Sequence, residues 1–89
     1  MPSYRARIDV MLKPLVNDPQ GLAVADGLRN LGYEAVRAVR VGKRLEVTLE
    51  APDAAAAERD VREMCERLLA NPVIEDFAFE LAETASLDA

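Results

Sequence analysis

Residues 34–50 read EAVRAVRVGKRLEVTLE, two runs rich in valine and leucine that are separated by Gly42 and Lys43. In the second run, residues 44–50, apolar and polar side chains alternate strictly, as in a strand with one buried face. The first run, residues 34–41, carries valines on both pleat faces, which predicts a strand buried on both sides or one with a bulge. Because glycine lies in the two-residue connection, the two runs together predict a β-hairpin.

The chain before this hairpin predicts a strand followed by a helix. Apolar and polar residues alternate over residues 4–13, which is the period of a half-buried strand. Asp18 followed by Pro19 is a typical helix start, because the carboxylate caps free N–H groups and the first turn does not use the N–H that proline lacks. Apolar residues then recur at helical spacing over residues 19–31, until Gly32 offers a left-handed stop.

The chain after the hairpin predicts a second helix and a last strand. An alanine-rich run opens the helix after Asp53, and Pro72 stops it. In residues 73–81 the aromatic residues share one strongly apolar face, and residues 83–89 have the character of a frayed tail. The apolar positions that follow the helical repeat in the second helix are Ala57, Val61, Met64, Cys65 and Leu68.

The order strand, helix, strand, strand, helix, strand is that of ferredoxin-like α+β folds. We therefore predict one βαββαβ domain over residues 1–82, with a four-stranded antiparallel sheet, both helices on one face and a flexible tail at residues 83–89. The aromatic residues Tyr4, Phe77 and Phe79 fall on the predicted core faces. The other sheet face is predicted to be open and mixed in polarity, with the side chains of Arg5, Arg7, Asp9, Met11, Glu46 and Thr48.

Length and composition argue against several classes of function. The chain has 89 residues, a mass of 9.8 kDa, a formal charge of -5, one cysteine and no histidine. An acidic protein repels nucleic-acid phosphates and anionic lipids, and the sequence has no continuous apolar run for a signal or a membrane span. We therefore expect a cytoplasmic protein that binds neither nucleic acid nor membrane and holds no metal.

No set of residues predicts catalysis or a bound cofactor. Without histidine there is no base to activate Cys65, which is interpreted as a small core residue. Glu75 and Asp76 are neighbours in a predicted strand and point to opposite faces, so they cannot act together as general acid and base. The residues by themselves favour a small acidic domain that assembles or regulates, with no catalytic, cofactor-binding or metal-binding residue of its own.

Four blocks of the sequence resemble the PurS family, the small subunits of phosphoribosylformylglycinamidine (FGAM) synthase. They are LKPLVNDPQG at residues 12–21, LGY at 31–33, VRVGK at 39–43 and NPVIE at 71–75, and the likeness extends over nearly the whole chain. In the family pattern glycine usually stands where this chain has Leu15, and an apolar residue where it has Asn17. The loop before the first helix is therefore expected to follow its own path.

The resemblance implies a place in purine synthesis, in the step that converts formylglycinamide ribonucleotide, glutamine and ATP to the amidine, glutamate, ADP and phosphate. In the family's complex a glutaminase subunit releases ammonia, a large synthetase subunit uses ATP and magnesium, and the small subunit bridges the two. Because free ammonia is protonated and lost in water, its transfer needs sealed contact between the two sites. The resemblance also implies a homodimer or a dimer of dimers that binds no cofactor itself.

Five polar residues are the candidates for contact with these partners: Lys13, Asp18, Gln20, Arg40 and Lys43. Asp18 has a predicted folding role as a helix cap, whereas the other four have no evident one. All five lie in loops, turns or helix starts that a partner could touch. Residues 71–75 are expected to shape the join between the second helix and the last strand.

Two other functions remain open at this point. A regulatory ligand-binding domain of the amino-acid-sensing type shares this strand order, but it needs a glycine-bearing loop after the first strand, where this chain has Leu15 and Val16. An acylphosphatase-like hydrolase needs an arginine in a phosphate-binding loop before the first helix, and residues 13–21 contain none.

Overall fold

The computed structural model describes residues 1–84, which form an α+β fold with one antiparallel sheet of three strands. Strand β1 lies in the middle of the sheet, and the strand order is β2-β1-β3. No helix within this part of the chain combines the length and apolar character that crossing a membrane requires. The elements are β1 (Ser3–Leu12), α1 (Pro19–Asn30), β2 (Gly42–Glu50), α2 (Ala54–Met64), a π-helical turn (Cys65–Leu69) and β3 (Glu75–Thr84).

The core lies between one sheet face and the second helix. The period-two alternation of β1 places Tyr4, Ala6, Ile8 and Val10 on this face, each 4% exposed or less. Helix α2 and the π-helical turn pack over them, and Val61 is fully buried. The predicted core positions of Tyr4 and of the aromatic residues of β3 are therefore confirmed. Half-buried side chains of the flanking strands complete the core: Leu45, Val47, Leu49, Phe77, Phe79 and Leu81.

Helix α2 begins and ends by identifiable local interactions. The carboxylate of Asp53 accepts a hydrogen bond of 2.8 Å from the backbone N–H of Ala56, which caps the first turn. At the other end the N–H of Ala70 donates to the carbonyl of Cys65, a π-type bond that inserts one residue into the last turn. The insertion changes which side chains face the sheet, so the prediction that Leu68 lies on the buried face is wrong: it is 82% exposed.

The described residues form three strands and not the predicted four. Gly42 and Lys43, predicted as a hairpin connection, are the first residues of β2, where they pair with Met11 and Val10. No turn or bend separates residues 37–41 from β2, so this segment cannot fold back beside that strand. The predicted ferredoxin-like strand order therefore does not form within residues 1–84.

Residues 34–41, the strap, are held by side chains instead of by a neighbouring strand. Arg29 donates to the carbonyls of Val36 and Arg37 at 3.0 and 3.1 Å, and Asp18 accepts the N–H of Val41 at 2.9 Å. These bonds attach the strap to α1 and to the loop that precedes it.

Helix α1 lies away from the hydrophobic core. Its start is as predicted, with Asp18 as cap and Pro19 in the first turn, and Gly32 beyond its end has a φ of 107°. Neither hydrophobic cluster of the core includes a residue of α1. Within the described residues the sheet face is therefore covered by α2 and the π-helical turn, and the prediction of two helices on one face is wrong. The radius of gyration is 16.9 Å, whereas a compact chain of this length has about 12 Å.

The last strand starts later and ends later than predicted. The carbonyl of Asn71 accepts the N–H groups of Ile74 and Glu75, and this turn delays β3 until Glu75. The strand then runs to Thr84 and takes in the first two residues of the predicted tail. The rest of the predicted tail, residues 85–89, lies outside the described residues.

Candidate partner-contact site

The loop after β1, the first turn of α1 and the beginning of β2 meet at one end of the sheet. They enclose a groove of about 450 Å³. Asp18, Gln20 and Lys43, three of the five predicted contact residues, line it. Its remaining walls are mostly apolar and are formed by Val10, Leu12, Pro19, Val41, Gly42 and Glu75.

Asp18 joins three segments at this groove. One carboxylate oxygen accepts the N–H of Gly21 at 2.9 Å and the other accepts the N–H of Val41 at 2.9 Å. The residue is 5% exposed. The hydrogen bond from Val41, then that from Gly21, lowers the pKa of this carboxyl below its usual value, and the nearby charge of Arg40 acts in the same direction. Asp18 is therefore a charged structural residue that fixes the shape of the groove.

Two glycines allow the close approach of backbone segments here. A Cβ atom at Gly21 would collide with the carbonyl oxygen of Val39 and with the carboxylate of Asp18. A Cβ atom at Gly42 would collide with the side chain of Met11 and the carbonyl of Val10. Gly42 is thus needed for close packing of β2 on β1 and not for a turn.

Arg40 closes the loop that follows β1. Its guanidinium donates to the carbonyls of Leu12, Lys13 and Val16 at 3.2, 2.9 and 3.4 Å, and Nε lies 3.8 Å from Oδ2 of Asp18. One planar guanidinium can satisfy several acceptors at once because it has five donors in a fixed geometry. The expectation that Arg40 has no folding role is therefore wrong.

Lys13 also has a folding role. Its ammonium group lies 2.8 Å from a carboxylate oxygen of Asp76, and its backbone N–H donates to the carbonyl of Ile74 at 2.8 Å. These contacts join the end of β1 to the turn before β3. In that turn the side chain of Asn71 accepts the N–H of Val73, and Glu75 accepts the N–H of Asn71.

Gln20 and Lys43 are exposed, and within residues 1–84 neither side chain makes a hydrogen bond or an ion pair. They therefore present a carboxamide and an ammonium group to solvent beside apolar walls. This arrangement suits recognition of another surface. A role in partner contact remains a prediction for all five residues, and the folding roles of Asp18, Arg40 and Lys13 make Gln20 and Lys43 the sharper tests of it.

A second cleft, of about 400 Å³, lies between the loop, α1 and the strap. Leu15, where the sequence departs from the family pattern, lines it and is 100% exposed, and Leu22 beside it is 58% exposed. Arg29, also in its lining, anchors the strap. Sequence reasoning missed this role, because an arginine in the last turn of a helix is already explained by the helix dipole.

The described residues offer few groups for catalysis. No cluster of three or more histidine, cysteine, aspartate or glutamate side chains in residues 1–84 is arranged to hold a metal ion. Cys65 is buried in the core, and burial raises the pKa of its thiol. A raised pKa keeps the thiol protonated and weakly nucleophilic at neutral pH.

Comparison with known proteins identifies the family. The family pattern described as "PurS: Phosphoribosylformylglycinamidine (FGAM) synthase" matches residues 5–83. The chain belongs to the PurS family. It is 54% identical to the PurS subunit of Synechocystis over 79 residues, which cover 89% of this chain and 79% of the relative. It is 45% identical to the Bacillus subtilis PurS subunit, over 93% of this chain and 98% of the relative.

Solved PurS structures share the fold. The B. subtilis PurS structure superposes with a TM-score of 0.81 at 46% identity, over 90% of this chain and 99% of that one. A structure described as PurLQS from Thermotoga maritima contains a chain with a TM-score of 0.81 at 34% identity, over 94% of this chain and 100% of that one. The resemblance to the PurS family is therefore confirmed, and with it the assignment to FGAM synthase.

Proposed function

We propose that this chain is the non-catalytic small subunit of FGAM synthase and bridges a glutaminase subunit and a large synthetase subunit. Through this contact, ammonia released from glutamine reaches formylglycinamide ribonucleotide in an ATP-dependent ligase reaction of purine biosynthesis. The observation that carries the proposal is the match of nearly the whole chain to a PurS-family chain within PurLQS of T. maritima.

The chemistry of ammonia transfer explains why a subunit without an active site is needed. Ammonia that escapes into water is protonated and no longer attacks as a nucleophile, so the two active sites must be joined by a path that excludes bulk water. A small rigid adaptor can hold them together without taking part in bond making. In this proposal ATP and magnesium are used by the synthetase subunit, and this chain binds neither.

The groove at the end of the sheet is the proposed contact with one of these subunits. Lys43 and Gln20 supply polar groups that make no bond within the described chain, and Leu12 and Val41 add apolar walls to the same groove. Apolar contact area together with a few oriented polar groups is the usual composition of a specific interface. The small subunit is further proposed to be cytoplasmic, to form a homodimer or a dimer of dimers, and to bind neither nucleic acid nor membrane.

Reconstitution tests the bridging role. This chain is mixed with separately purified glutaminase and synthetase subunits, and amidine formation is measured with glutamine and, separately, with ammonia as the nitrogen source. We expect glutamine-dependent turnover only when this chain is present, and little change in ammonia-dependent turnover. If neither rate responds and no complex forms, the bridging role is wrong.

Single substitutions test the contact site in the same assay. We expect Lys43→Ala and Gln20→Ala to lower glutamine-dependent turnover at limiting concentrations of this chain. Arg59→Ala is the matched control for Lys43→Ala, because Arg59 is an exposed cation on α2, away from the groove. Equal activity of the folded Lys43 and Arg59 variants would contradict the assignment of the groove.

A further inference from the structure

The join between α2 and β3, residues 65–75, exposes large apolar side chains. Leu68 is 82% exposed, Val73 is 78% exposed and Ile74 is 38% exposed. Leu68 is exposed because the π-helical turn directs it away from the sheet. Single exposed apolar side chains are ordinary on a protein surface, whereas three large ones in one short segment concentrate apolar surface at one place.

The backbone that carries these side chains is fixed by hydrogen bonds. The N–H of Val73 donates to the side chain of Asn71 at 3.0 Å, and the N–H of Asn71 donates to the carboxylate of Glu75 at 2.7 Å. The carbonyl of Ile74 accepts the N–H of Lys13 at 2.8 Å, which ties the join to the end of β1. Apolar side chains on a fixed backbone lose less conformational entropy on binding, so the join is prepared for contact before a partner arrives.

A pocket of about 360 Å³ opens between the π-helical turn and the start of β3. Its walls are in part apolar and in part charged. The apolar walls are formed by Ala70, Pro72 and Phe77, and the charged lining consists of Lys13, Glu66, Glu75 and Asp76.

The charged lining leaves the pocket acidic. The ammonium group of Lys13 lies 2.8 Å from a carboxylate oxygen of Asp76 and neutralises it. Glu75 accepts the N–H of Asn71 through one of its two carboxylate oxygens. Glu66 is exposed, and within residues 1–84 it makes no hydrogen bond or ion pair. The carboxylates of Glu66 and Glu75 therefore have no cation opposite them in the described part of the chain.

This combination of groups fits a cation on a long aliphatic side chain. Lysine and arginine bury their stems against apolar surface while the charged head reaches polar groups, so the apolar walls would take the stem and the carboxylates the head. Charge complementarity of this kind selects which partner is accepted. Residues 85–89 contain neither lysine nor arginine, so they cannot supply this cation.

The pocket adjoins the groove described above. Glu75 lines both of them, and the neighbouring residues Leu12 and Lys13 line the groove and the pocket respectively. Together they form one continuous surface at this end of the sheet. The ammonium group of Lys43 lies in its groove part and the carboxylate of Glu66 in its pocket part, so the surface carries free charges of opposite sign in its two parts.

We propose that the join and the groove form one contact surface for a single partner subunit, and that a lysine or arginine of this subunit enters the pocket beside Glu66 and Glu75. Apolar side chains of the partner pack around this cation on Leu68 and Val73. An acidic group of the partner meets Lys43 in the groove. Apolar anchors combined with a few paired charges are typical of the residues that supply most of the energy of an interface.

This inference rests on the proposed function and deepens it. The proposed function requires that the chain contact a glutaminase subunit and a synthetase subunit, and it assigns the groove to one of them. The inference extends that contact to the join and states the chemistry of the partner segment, which is basic at the pocket, acidic at Lys43 and apolar between them.

Calorimetric titration with each of the two purified subunits, in the presence of the substrates of the reaction, tests the inference. We expect Val73→Asp and Glu66→Lys each to weaken binding to one subunit by at least about tenfold and to leave binding to the other unchanged. Lys43→Ala should weaken binding to the same subunit. Val73, Glu66 and Lys43 are exposed, so all three variants should fold, which circular dichroism checks.

Two control variants separate this contact from general effects of charge and size. Asp60→Lys makes a comparable change of charge at an exposed position of α2 that lines neither the groove nor the pocket. Val73→Ile keeps an apolar side chain at the join. We expect both controls to bind the two subunits as the wild type does.

The outcomes distinguish this inference from the proposed function. A wild-type chain that binds neither subunit would overturn both. Wild-type binding that Val73→Asp and Glu66→Lys leave intact, or that Asp60→Lys weakens equally, would overturn this inference alone. Loss of binding to the subunit that Lys43→Ala does not affect would show that the join and the groove are not one surface. A lower native mass of Val73→Asp in light scattering would show that the join contacts another copy of the chain, which also overturns the inference.

Discussion

Two glycines in the same helix are expected to respond in opposite ways to the same substitution. Gly27 is exposed, and a Cβ atom there meets nothing within 4 Å. Gly27→Ala therefore adds helix propensity and reduces the entropy of the unfolded chain, which stabilises the protein by about 0.5–1 kcal/mol. Gly21 lies in the first turn, where the added methyl group would collide with the carbonyl oxygen of Val39 and the Asp18 carboxylate.

The size of the difference follows from these contacts. Overpacking of a closely packed site costs about 1–3 kcal/mol, and here one obstacle is backbone that the neighbouring Val41 hydrogen bond holds in place. This cost exceeds the gain in helix propensity at Gly21, so Gly21→Ala should destabilise the protein. Because the gain in helix propensity is common to both changes, we expect the free energies of unfolding of the two variants to differ by the overpacking cost, about 1–3 kcal/mol.

Urea denaturation followed by circular dichroism measures this difference. Both variants are compared with the wild type at one protein concentration, since self-association adds to apparent stability. If Gly21→Ala is as stable as Gly27→Ala, the strap does not pass against the start of α1. The shape of the groove inferred from the contacts of Asp18 and Arg40 would then be wrong.

The remaining predictions concern charge and packing. Because the pKa of Asp18 is lower in the folded chain than in the unfolded chain, its ionised carboxylate stabilises the fold above the ordinary pKa of 3.8, and this stabilisation is lost as pH falls through the folded-state pKa. Asp18→Asn should therefore make the free energy of unfolding depend less on pH in the acid range. A pH dependence equal to that of the wild type would contradict this role of Asp18. Arg40→Lys should lower the free energy of unfolding by about 1–2 kcal/mol, because an ammonium group cannot reach three carbonyls at once. Arg59→Lys, on the exposed surface of α2, is the control and should have little effect. Equal urea unfolding midpoints for the two variants would refute this prediction. Val61→Ala truncates a fully buried side chain and should lower the free energy of unfolding by about 2 kcal/mol. Leu68 is 82% exposed, so Leu68→Ala should lower it by about 0.5 kcal/mol or less. Thermal denaturation compares the two variants, and similar melting temperatures would show that α2 does not pack on the sheet as described.

The elements that the sequence predicted correctly depend on local physics. The alternation of apolar residues in β1 and β3 predicts which face of each strand is buried, because neighbouring side chains in a strand point to opposite sides. Asp18 with Pro19 marks the start of α1, because capping involves only residues within one turn. Each signal lies within a few residues and does not depend on the rest of the fold.

The candidate site was predicted in part. The sequence singled out Asp18, Gln20 and Lys43, and the structure brings them to one groove. The sequence could not show that the Arg40 side chain makes hydrogen bonds within the chain, because its acceptors are backbone carbonyls, which every residue has. Nor could it single out Arg29, whose carbonyl partners lie in the strap beyond the helix end.

The sequence by itself determined the approximate positions and the order of β1, α1, β2, α2 and β3, the buried faces of the strands, and the family. Only the tertiary structure decided the path of residues 34–41, where the local pattern is that of a strand but no neighbouring strand within residues 1–84 pairs with it. Whether such a segment becomes a strand depends on what lies beside it. Here one edge of the strap is held against Asp18, Gly21 and Arg29 and not against a strand, so these long-range contacts override the local strand propensity of residues 34–41.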